Sequence, residues 1–413
     1  MKRWPLLCVL AVSASAMAAA DNPSDLPPSD TVARWLGTDP SVQEAGFGQS
    51  VASREAGMLR ASPNEWTLRA TGQRREYEAG TRSREWNAGV ERTIRLPGKR
   101  TLDTRLGESG IAVADARYAA TTRQALKELT GLWLDWCTAV AASRLADQQV
   151  ELAQRNRAGV DKRIKAGDAA RLDLNLAEAD VADVERLRSE AHTNEMTAKA
   201  RLLARFGDIP AEAPALSEPD VDTQVSAADR IALLVSRSLE LRIAEAERAQ
   251  ADLGVARQRA DRLPDPTFGV FGGTEAFGNE RIVGVTVSVP LPGHYRSEKL
   301  GRALSERDQR DAALAREKQQ VAADAAALVT AERGGVERWR LARVAAQRSE
   351  ENVRLVQRAY TLGEADLQTL LLARRQSLEA ARTALDAHAA ALNAQYRARI
   401  ESGELWAELA NAS

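Results

Sequence analysis

The chain has 413 residues, of which 28% are charged and only 4% are aromatic, and its formal net charge is −1 at pH 7. This near-neutral balance gives no bulk electrostatic basis for binding nucleic acid. The scarcity of aromatic residues beside abundant Ala, Leu, Arg and Glu favours long helices with thin cores of small residues.

Residues 1–20 have the pattern of a secretory signal peptide. Lys2 and Arg3 precede a short apolar run, and the small residues that follow predict cleavage before Asp21. The run is too short for a membrane anchor, and no later stretch approaches the roughly 20 apolar residues of a spanning helix. Cys8 would leave with this segment, so the mature chain would keep only Cys137 and form no internal disulfide.

The rest of the chain carries the marks of a tandem duplication. Two prolines lie 195 residues apart, and two pairs of glycines each lie 196 apart. The pairs are Pro97 and Pro292, Gly167 and Gly363, and Gly207 and Gly403. We therefore predict two repeats, over 21–215 and 216–413, each with a helix, a β-hairpin, a long helix and a shorter return helix.

Each predicted repeat begins with a helix and continues into two alternating strands. The helices are predicted over about 40–61 and 228–261, from their apolar periodicity. The hairpins follow over about 65–96 and 266–291, where apolar and polar residues alternate around polar, glycine-containing connectors.

The last strand shows the alternation most clearly, because Val283, Val285, Val287 and Val289 share one face. Strands of about 9–11 residues with one apolar face are typical of outer-membrane barrels. Three aromatic residues near strand ends fit an interfacial girdle: Trp66, Trp86 and Phe268. Four strands cannot close a barrel, so such chains would have to associate, and three copies would give twelve strands. The alternative is a soluble hairpin with one buried face.

The tripeptide LPG stands where each hairpin gives way to the longest helical pattern. We predict that Leu96 and Leu291 end the strands, that proline stops the ladder and opens the helix, and that glycine permits the redirection. The predicted joint residues are Pro97, Gly98, Pro292 and Gly293. Lys99, Arg100 and Arg296, just beyond, are expected to meet water or lipid phosphates.

The helices that follow are predicted to be very long. No proline interrupts residues 98–167 or 293–363, and each stretch would reach roughly 100 Å as continuous helix. The first carries an apolar stripe whose members step by three and four residues. They are Leu126, Leu129, Trp133, Trp136 and Val140, and the stripe fits either a coiled-coil seam or an ordinary bundle core.

Taken in order, these features resemble the TolC-like outer-membrane efflux proteins. The resemblance rests on the signal peptide, the tandem halves, the strand ends "IRLPGKR" and "VSVPLPGHYR", and the stretches "KAGDAARLDL" and "TLGEADLQTL". It implies a mainly α fold with a small β part, in which a trimeric α-helical barrel continues into a twelve-stranded β-barrel. It also implies an exit duct in the outer membrane of a Gram-negative bacterium. That duct extends into the periplasm, where an adaptor protein joins it to an inner-membrane transporter.

The resemblance also assigns residues. Gly167 and Gly363 would lie in the two helical turns at the periplasmic tip, where the adaptor docks. Asp173 matches an acid of the family's gate, whereas Thr369 and Leu372 stand where the second half would carry acids. Asp366 and Glu364 are the nearby acids that would substitute for them.

The cargo and the competing functions stay open at this stage. "LPGKR" resembles the heavy-metal branch of the family, but the histidines are scattered and no ligand spacing is present. The same duct could serve drugs or other organic compounds, and a soluble periplasmic coiled-coil adaptor or scaffold is the alternative from another class. Neither catalysis nor a cofactor is predicted, because "PGKRT" lacks the upstream glycine of a phosphate loop and no Ser/His/Asp set is visible.

Overall fold

The computed structural model describes residues 23–220 and 224–411, so the predicted signal peptide lies outside the described residues. Over these residues the chain is mainly α-helical, with one four-stranded sheet. Its first half contains α1 (Ser29–Thr38), α2 (Pro40–Ala61), β1 (Thr67–Glu76), β2 (Arg82–Thr93), α3 (Pro97–Lys165) and α4 (Arg171–Phe206). Its second half contains α5 (Ala227–Ser236), α6 (Leu239–Ala260), β3 (Thr267–Glu275), β4 (Glu280–Ser288), α7 (His294–Leu362), α8 (Leu367–Glu401) and the short α9 (Ala407–Asn411).

The two halves repeat the same order of elements from a pair of helices to a return helix. The prediction of one helix over 228–261 was wrong, because the chain bends at Arg237 and α6 begins anew after Ser238. The Ser238 hydroxyl accepts a hydrogen bond from the Leu241 N–H at 3.1 Å, which satisfies a backbone donor at the new helix start. Asp39 caps α2 in the same way, so both halves begin with a broken helix. The division at 215/216 stays a prediction.

Helices α3 and α7 each contain 69 residues and are roughly 100 Å long. Each packs against its own return helix, α4 or α8, to form a long helical hairpin. A left-handed glycine follows each return helix: Gly207 has φ +74° and Gly403 has φ +73°. Their roles differ in detail, because Gly207 itself caps α4 and donates its N–H to the Leu203 carbonyl at 2.9 Å, whereas Gly403 follows the cap residue Ser402 and donates to the Ile400 carbonyl at 3.1 Å.

The main core lies where α1, α3, α4 and α8 meet. Trp133 packs between Trp35 and Trp136, with ring centroids 6.2 and 5.3 Å apart, and Phe206 lies 5.9 Å from Trp35. The members of the predicted stripe on α3 all belong to this core or border it. The stripe is thus a bundle core, and the coiled-coil seam is not what these residues form.

All four strands join one antiparallel sheet in the order β1-β2-β3-β4. The central β2–β3 pair unites the two halves, and β1 and β4 form its edges. The strands end at Thr93 and Ser288, so the prediction that Leu96 and Leu291 end them was wrong. In the first half the ladder stops because the Leu96 N–H donates its hydrogen bond to the Asp265 carboxylate, at 3.0 Å, instead of to a neighbouring strand.

Candidate functional site

One face of the sheet carries an apolar band that has no cover within the described residues. Register pairing places Leu68, Val90, Val270 and Val285 in one row across the four strands. The next row contains Val283, whose side chain is 88% exposed, and Val285 itself is 78% exposed. A continuous apolar band this exposed is typical of a surface that contacts lipid or another protein.

The opposite face is polar and internally bridged. Arg69 pairs with Glu91 at 2.8 Å, and Gln73 donates a hydrogen bond to Glu85 at 2.8 Å. Arg75 also reaches Glu85, at 3.3 Å. These cross-strand contacts line a shallow hollow on this face, so the two faces of one sheet differ sharply in chemistry.

The joint between sheet and helices is built from a network of charges that are buried at Lys99 and Asp103 and half-buried elsewhere. The Asp103 carboxylate on α3 forms ion pairs with the guanidinium groups of Arg95, at the end of the hairpin, and of Arg257, on α6, both at 2.5 Å. Arg257 also reaches Asp261 at 2.5 Å. Lys99 completes the network, with its ammonium 3.1 Å from Asp261 and 2.9 Å from Asp265.

This joint network contains three cations and three carboxylates, so its formal charge balances. Burial alone would raise the pKa of Asp261, but the contacts from Arg257 and Lys99 outweigh that effect and hold it below its usual value. The network connects residues 95–103 with residues 257–265 and thereby ties the first half of the chain to the second.

The expectations for the residues beyond LPG need correction. Lys99 is only 2% exposed and is held by aspartates, so it does not face water or lipid phosphates. Arg296 donates to the backbone oxygen of Asp261, whereas Arg100 is exposed as expected.

The joint glycines also differ from expectation. Pro97 is the first residue of α3 and Gly98 the second, but Pro292 and Gly293 both precede α7. Gly293 has φ −119° and ψ −177°, and Gly98 has no positive φ. Neither position therefore requires the special freedom of glycine.

The two glycines predicted at the tip do occupy tight helical turns. Gly167 has φ +84° and Gly363 has φ +80°, both left-handed. In each turn the next residue donates its N–H to a carbonyl five residues back: Asp168 to Arg163 at 2.8 Å and Glu364 to Ala359 at 2.9 Å. The same C-terminal cap thus ends both long helices.

The candidate gate acids begin the return helices as caps. Asp366 accepts a hydrogen bond from the Thr369 N–H at 2.7 Å, which lowers the pKa of its carboxyl. Asp173 accepts the Ala170 N–H at 3.2 Å. Asp173 is the third residue of α4, whereas Asp366 is the residue that precedes α8, so each return helix begins with one acid at a different position. Glu364 is exposed on the turn itself.

The tips of the two helical hairpins pack against each other. Val160 and Ala177 of the first contact Tyr360, Leu367 and Leu370 of the second in one small core. The guanidinium of Arg163 lies 5.0 Å from the centre of the Tyr360 ring, which is cation–π distance.

No group of three or more metal-ligating side chains occurs within 23–220 and 224–411. Over the same residues, no helix is both long and apolar enough to cross a membrane. His388 stacks on Trp339 with ring centroids 5.2 Å apart, and its Nε2 lies 2.6 Å from the Ser217 carbonyl oxygen, so it belongs to the packing.

The joint network was missed from sequence. Its two groups of residues, within 95–103 and 257–265, lie more than 150 residues apart along the chain. Single charged residues on amphipathic helices look like solvated ones. The local signals are the basic run after LPG and the four-residue spacing of Arg257 and Asp261, and neither indicates a partner in the other half.

Comparison with known sequences finds one partly similar protein. No protein-family model matches the sequence. Over 206 residues the chain is 25% identical to the cobalt-zinc-cadmium resistance protein CzcC of Cupriavidus metallidurans, a match that covers 48% of each chain. The chain thus spans about half the length of this curated relative.

Solved structures match over nearly the whole chain. A membrane protein from Pseudomonas aeruginosa has a TM-score of 0.77 at 18% identity, with 91% of this chain and 93% of that one covered. CusC, described with transmembrane channel formation, has a TM-score of 0.78 at 13% identity and coverages of 90% and 91%. The CmeC outer membrane channel of Campylobacter jejuni has 0.77 at 15% identity, with coverages of 91% and 85%. The chain therefore shares its fold with these solved structures, one of which is an outer membrane channel.

Proposed function

We propose that the protein is the outer-membrane exit duct of a tripartite efflux system in a Gram-negative bacterium. The observation that carries this proposal is the sheet, which has a bare apolar band on one face and bridged polar residues on the other. A barrel wall between lipid and an aqueous lumen needs this division. The fold shared with outer-membrane channels supports the same function.

The functional unit in this proposal is a homotrimer. Strands β1 and β4 are sheet edges with unpaired backbone groups, which the hydrocarbon layer does not tolerate. Cyclic pairing of β4 in one copy with β1 in the next removes every edge. Three copies then close a twelve-stranded barrel, and their helical hairpins form the periplasmic tunnel.

The tip of the tunnel is the proposed docking site for a periplasmic adaptor, which links the duct to an inner-membrane transporter. Gly167 and Gly363 shape its two turns. Leu172, Leu362 and Leu372 remain exposed around those turns and offer apolar contacts to a partner. Asp173, Asp366 and Glu364 stay candidate gate residues, with the capping contacts of the two aspartates as their structural role.

For the cargo we propose divalent heavy-metal cations. The partial similarity to a cobalt-zinc-cadmium resistance protein supports this class. The polar face of the sheet also carries four glutamates (Glu85, Glu91, Glu275 and Glu280) against two arginines (Arg69 and Arg75), and negative walls concentrate cations. Conduction requires no resident metal and no catalytic step.

Deletion of the gene in its own host tests the cargo. Growth is measured against cobalt, zinc and cadmium salts and against dyes and antibiotics, with the wild-type gene restored on a plasmid. We expect sensitivity to the metals that the plasmid reverses. Sensitivity to organic compounds alone would contradict the metal cargo and leave the duct intact.

Cell fractionation tests the duct itself. The protein should be found in outer membranes as a trimer that dissociates on heating in detergent. Recovery as a soluble periplasmic monomer would contradict the duct.

A further inference from the structure

Three arginines lie at the same end of the face that carries the apolar band, and we call Arg74, Arg84 and Arg281 the arginine belt. The register pairs Arg74 directly with Arg84 across β1 and β2. It places Arg281 opposite Thr274, which is itself opposite Trp86. Because side chains alternate along strands, all three arginines share the face of Val283 and Val285.

The belt borders the apolar band at the end where the hairpins turn, away from the helices. Trp86 stands in the row of Arg281, and Val283 is in the next row toward the helices. Along β2 the tryptophan therefore stands between the apolar band and Arg84, and on β4 Arg281 follows directly after Val283. That sequence of chemistries matches the passage from acyl chains to headgroups in a membrane.

The belt arginines have no carboxylate partner among residues 23–220 and 224–411. All three are exposed and form no ion pair there. The contrast with nearby arginines is sharp, because Arg69 and Arg75 on the polar face pair with glutamates, and Arg82 pairs with Glu76 at 3.1 Å. Like charges directly opposite across strands repel, so the Arg74–Arg84 pair would be stabilised by an external anion.

We propose that the arginine belt binds the phosphate groups of anionic lipid headgroups in the outer leaflet of the outer membrane. This inference rests on the proposed function, which directs the hairpin turns to the cell exterior. Guanidinium groups bind phosphate oxygens in pairs, with both charge and geometry matched. A lipid fits better than a soluble anion because the belt adjoins an apolar band that would hold acyl chains.

The test measures lipid preference on the intact trimer purified from outer membranes. The trimer in maltoside micelles receives equal amounts of bisphosphorylated lipid A and its phosphate-free form, and native mass spectrometry counts each bound species. Each arginine near an anionic headgroup strengthens binding about fivefold, so three arginines predict a preference on the order of a hundredfold. The preference should shrink in about 1 M salt, where exposed charges are screened.

The variants separate charge from position. Arg74→Gln/Arg84→Gln/Arg281→Gln should abolish the preference, and the matching triple Lys variant should retain most of it. Arg69→Gln is the control, because it removes a charge from the same strand but on the polar face. All variants are first checked for heat-dissociable trimer in the outer membrane.

Four results would contradict lipid binding by the arginine belt or the function on which it rests. Equal binding of both lipids to the wild type, or an unchanged preference in the triple Gln variant, would overturn the proposal. Displacement of the lipid by about 10 mM inorganic phosphate would show a soluble-anion site and overturn the lipid assignment, since exposed charges alone bind single phosphates weakly. Failure of the wild type to reach the outer membrane would contradict the proposed function itself.

Discussion

Lys99 shows how much a residue's role depends on partners far away in the chain. Its ammonium is buried between Asp261 and Asp265, although the sequence presents it as one of a basic pair after proline. Buried ions are tolerated only when they are paired, so the joint network is sensitive to the loss of any one member. Its arrangement holds the start of α3 against the connection between α6 and β3.

Lys99→Met should destabilise the protein, because two aspartates would lose their shared cation. We expect a loss of roughly 2–3 kcal/mol, which is below the value for a fully buried pair because Asp261 and Asp265 are partly exposed. Arg100→Met, one residue on and exposed, should cost less than about 0.5 kcal/mol. Thermal unfolding of the two variants checks this, and equal losses would contradict the role of the network.

The same network predicts a dependence on pH. The pKa of Asp261 is lowered in the folded state, so its stabilising contribution is full above the unfolded value of 3.8 and is lost as the pH falls through the lower folded value. Trimer dissociation temperatures measured between about pH 7 and pH 3 should therefore fall more steeply in the wild type than in Asp261→Asn. Parallel curves would show that Asp261 is not a source of the acid sensitivity.

At the scale of elements, the long helices depend on how their ends are closed. The tip glycines adopt left-handed conformations that carry the chain from α3 to α4 and from α7 to α8, whereas the joint glycines do not. The tip positions therefore require the conformational freedom of glycine and the joint positions do not, although both kinds of glycine recur in the two halves.

Gly363→Ala should destabilise the second tip, because alanine at φ +80° is strained by about 1–2 kcal/mol. Gly98→Ala should be neutral or slightly stabilising, since residue 98 lies in a helix with open space around it. Thermal unfolding of both variants distinguishes the positions. A larger loss for Gly98→Ala would contradict the assignment of strain to the tip.

Variants of Asp366 and Glu364 distinguish a role in helix capping from a role in the gate. Asp366→Ala removes the acceptor of the Thr369 N–H and should lower the thermal midpoint, whereas Glu364→Ala should leave it unchanged. Single-channel conductance in planar bilayers, recorded for both variants, reports the gate. Unchanged conductance in both would remove them from the gate, and an unchanged midpoint in Asp366→Ala would contradict capping.

Much of the order of helices and strands can be predicted from the sequence, because each element has its own local periodicity of apolar residues. The valine alternation of β4 and the proline-free stretch after Pro97 predict a strand and a helix that the structure contains. The bend at Arg237 was missed because the flanking apolar pattern continues through it and a single capping serine is a weak signal. Contacts such as Arg257 with Asp103 leave no local pattern, since only the fold brings them together.

The whole molecule combines a two-faced sheet with long helical hairpins in one chain. Its sheet exposes an apolar band on one side and bridged polar residues on the other, and its helical hairpins extend roughly 100 Å from the sheet. The joint network lies between these parts and contains only neutralised charges. This arrangement supports our proposal of a duct that is inserted in lipid at one end and open to an adaptor at the other.

Two neighbouring residues of β4 test the outer-membrane barrel most directly. Val285 faces the apolar band and Thr286 the polar side, so Val285→Arg and Thr286→Arg add the same charge to opposite faces. An arginine in the lipid-facing band costs about 2–4 kcal/mol, whereas one toward a lumen costs little. We predict that Thr286→Arg accumulates as heat-dissociable trimer in outer membranes and that Val285→Arg does not; equal recovery of both, or loss of Thr286→Arg alone, would contradict a barrel with this face toward lipid.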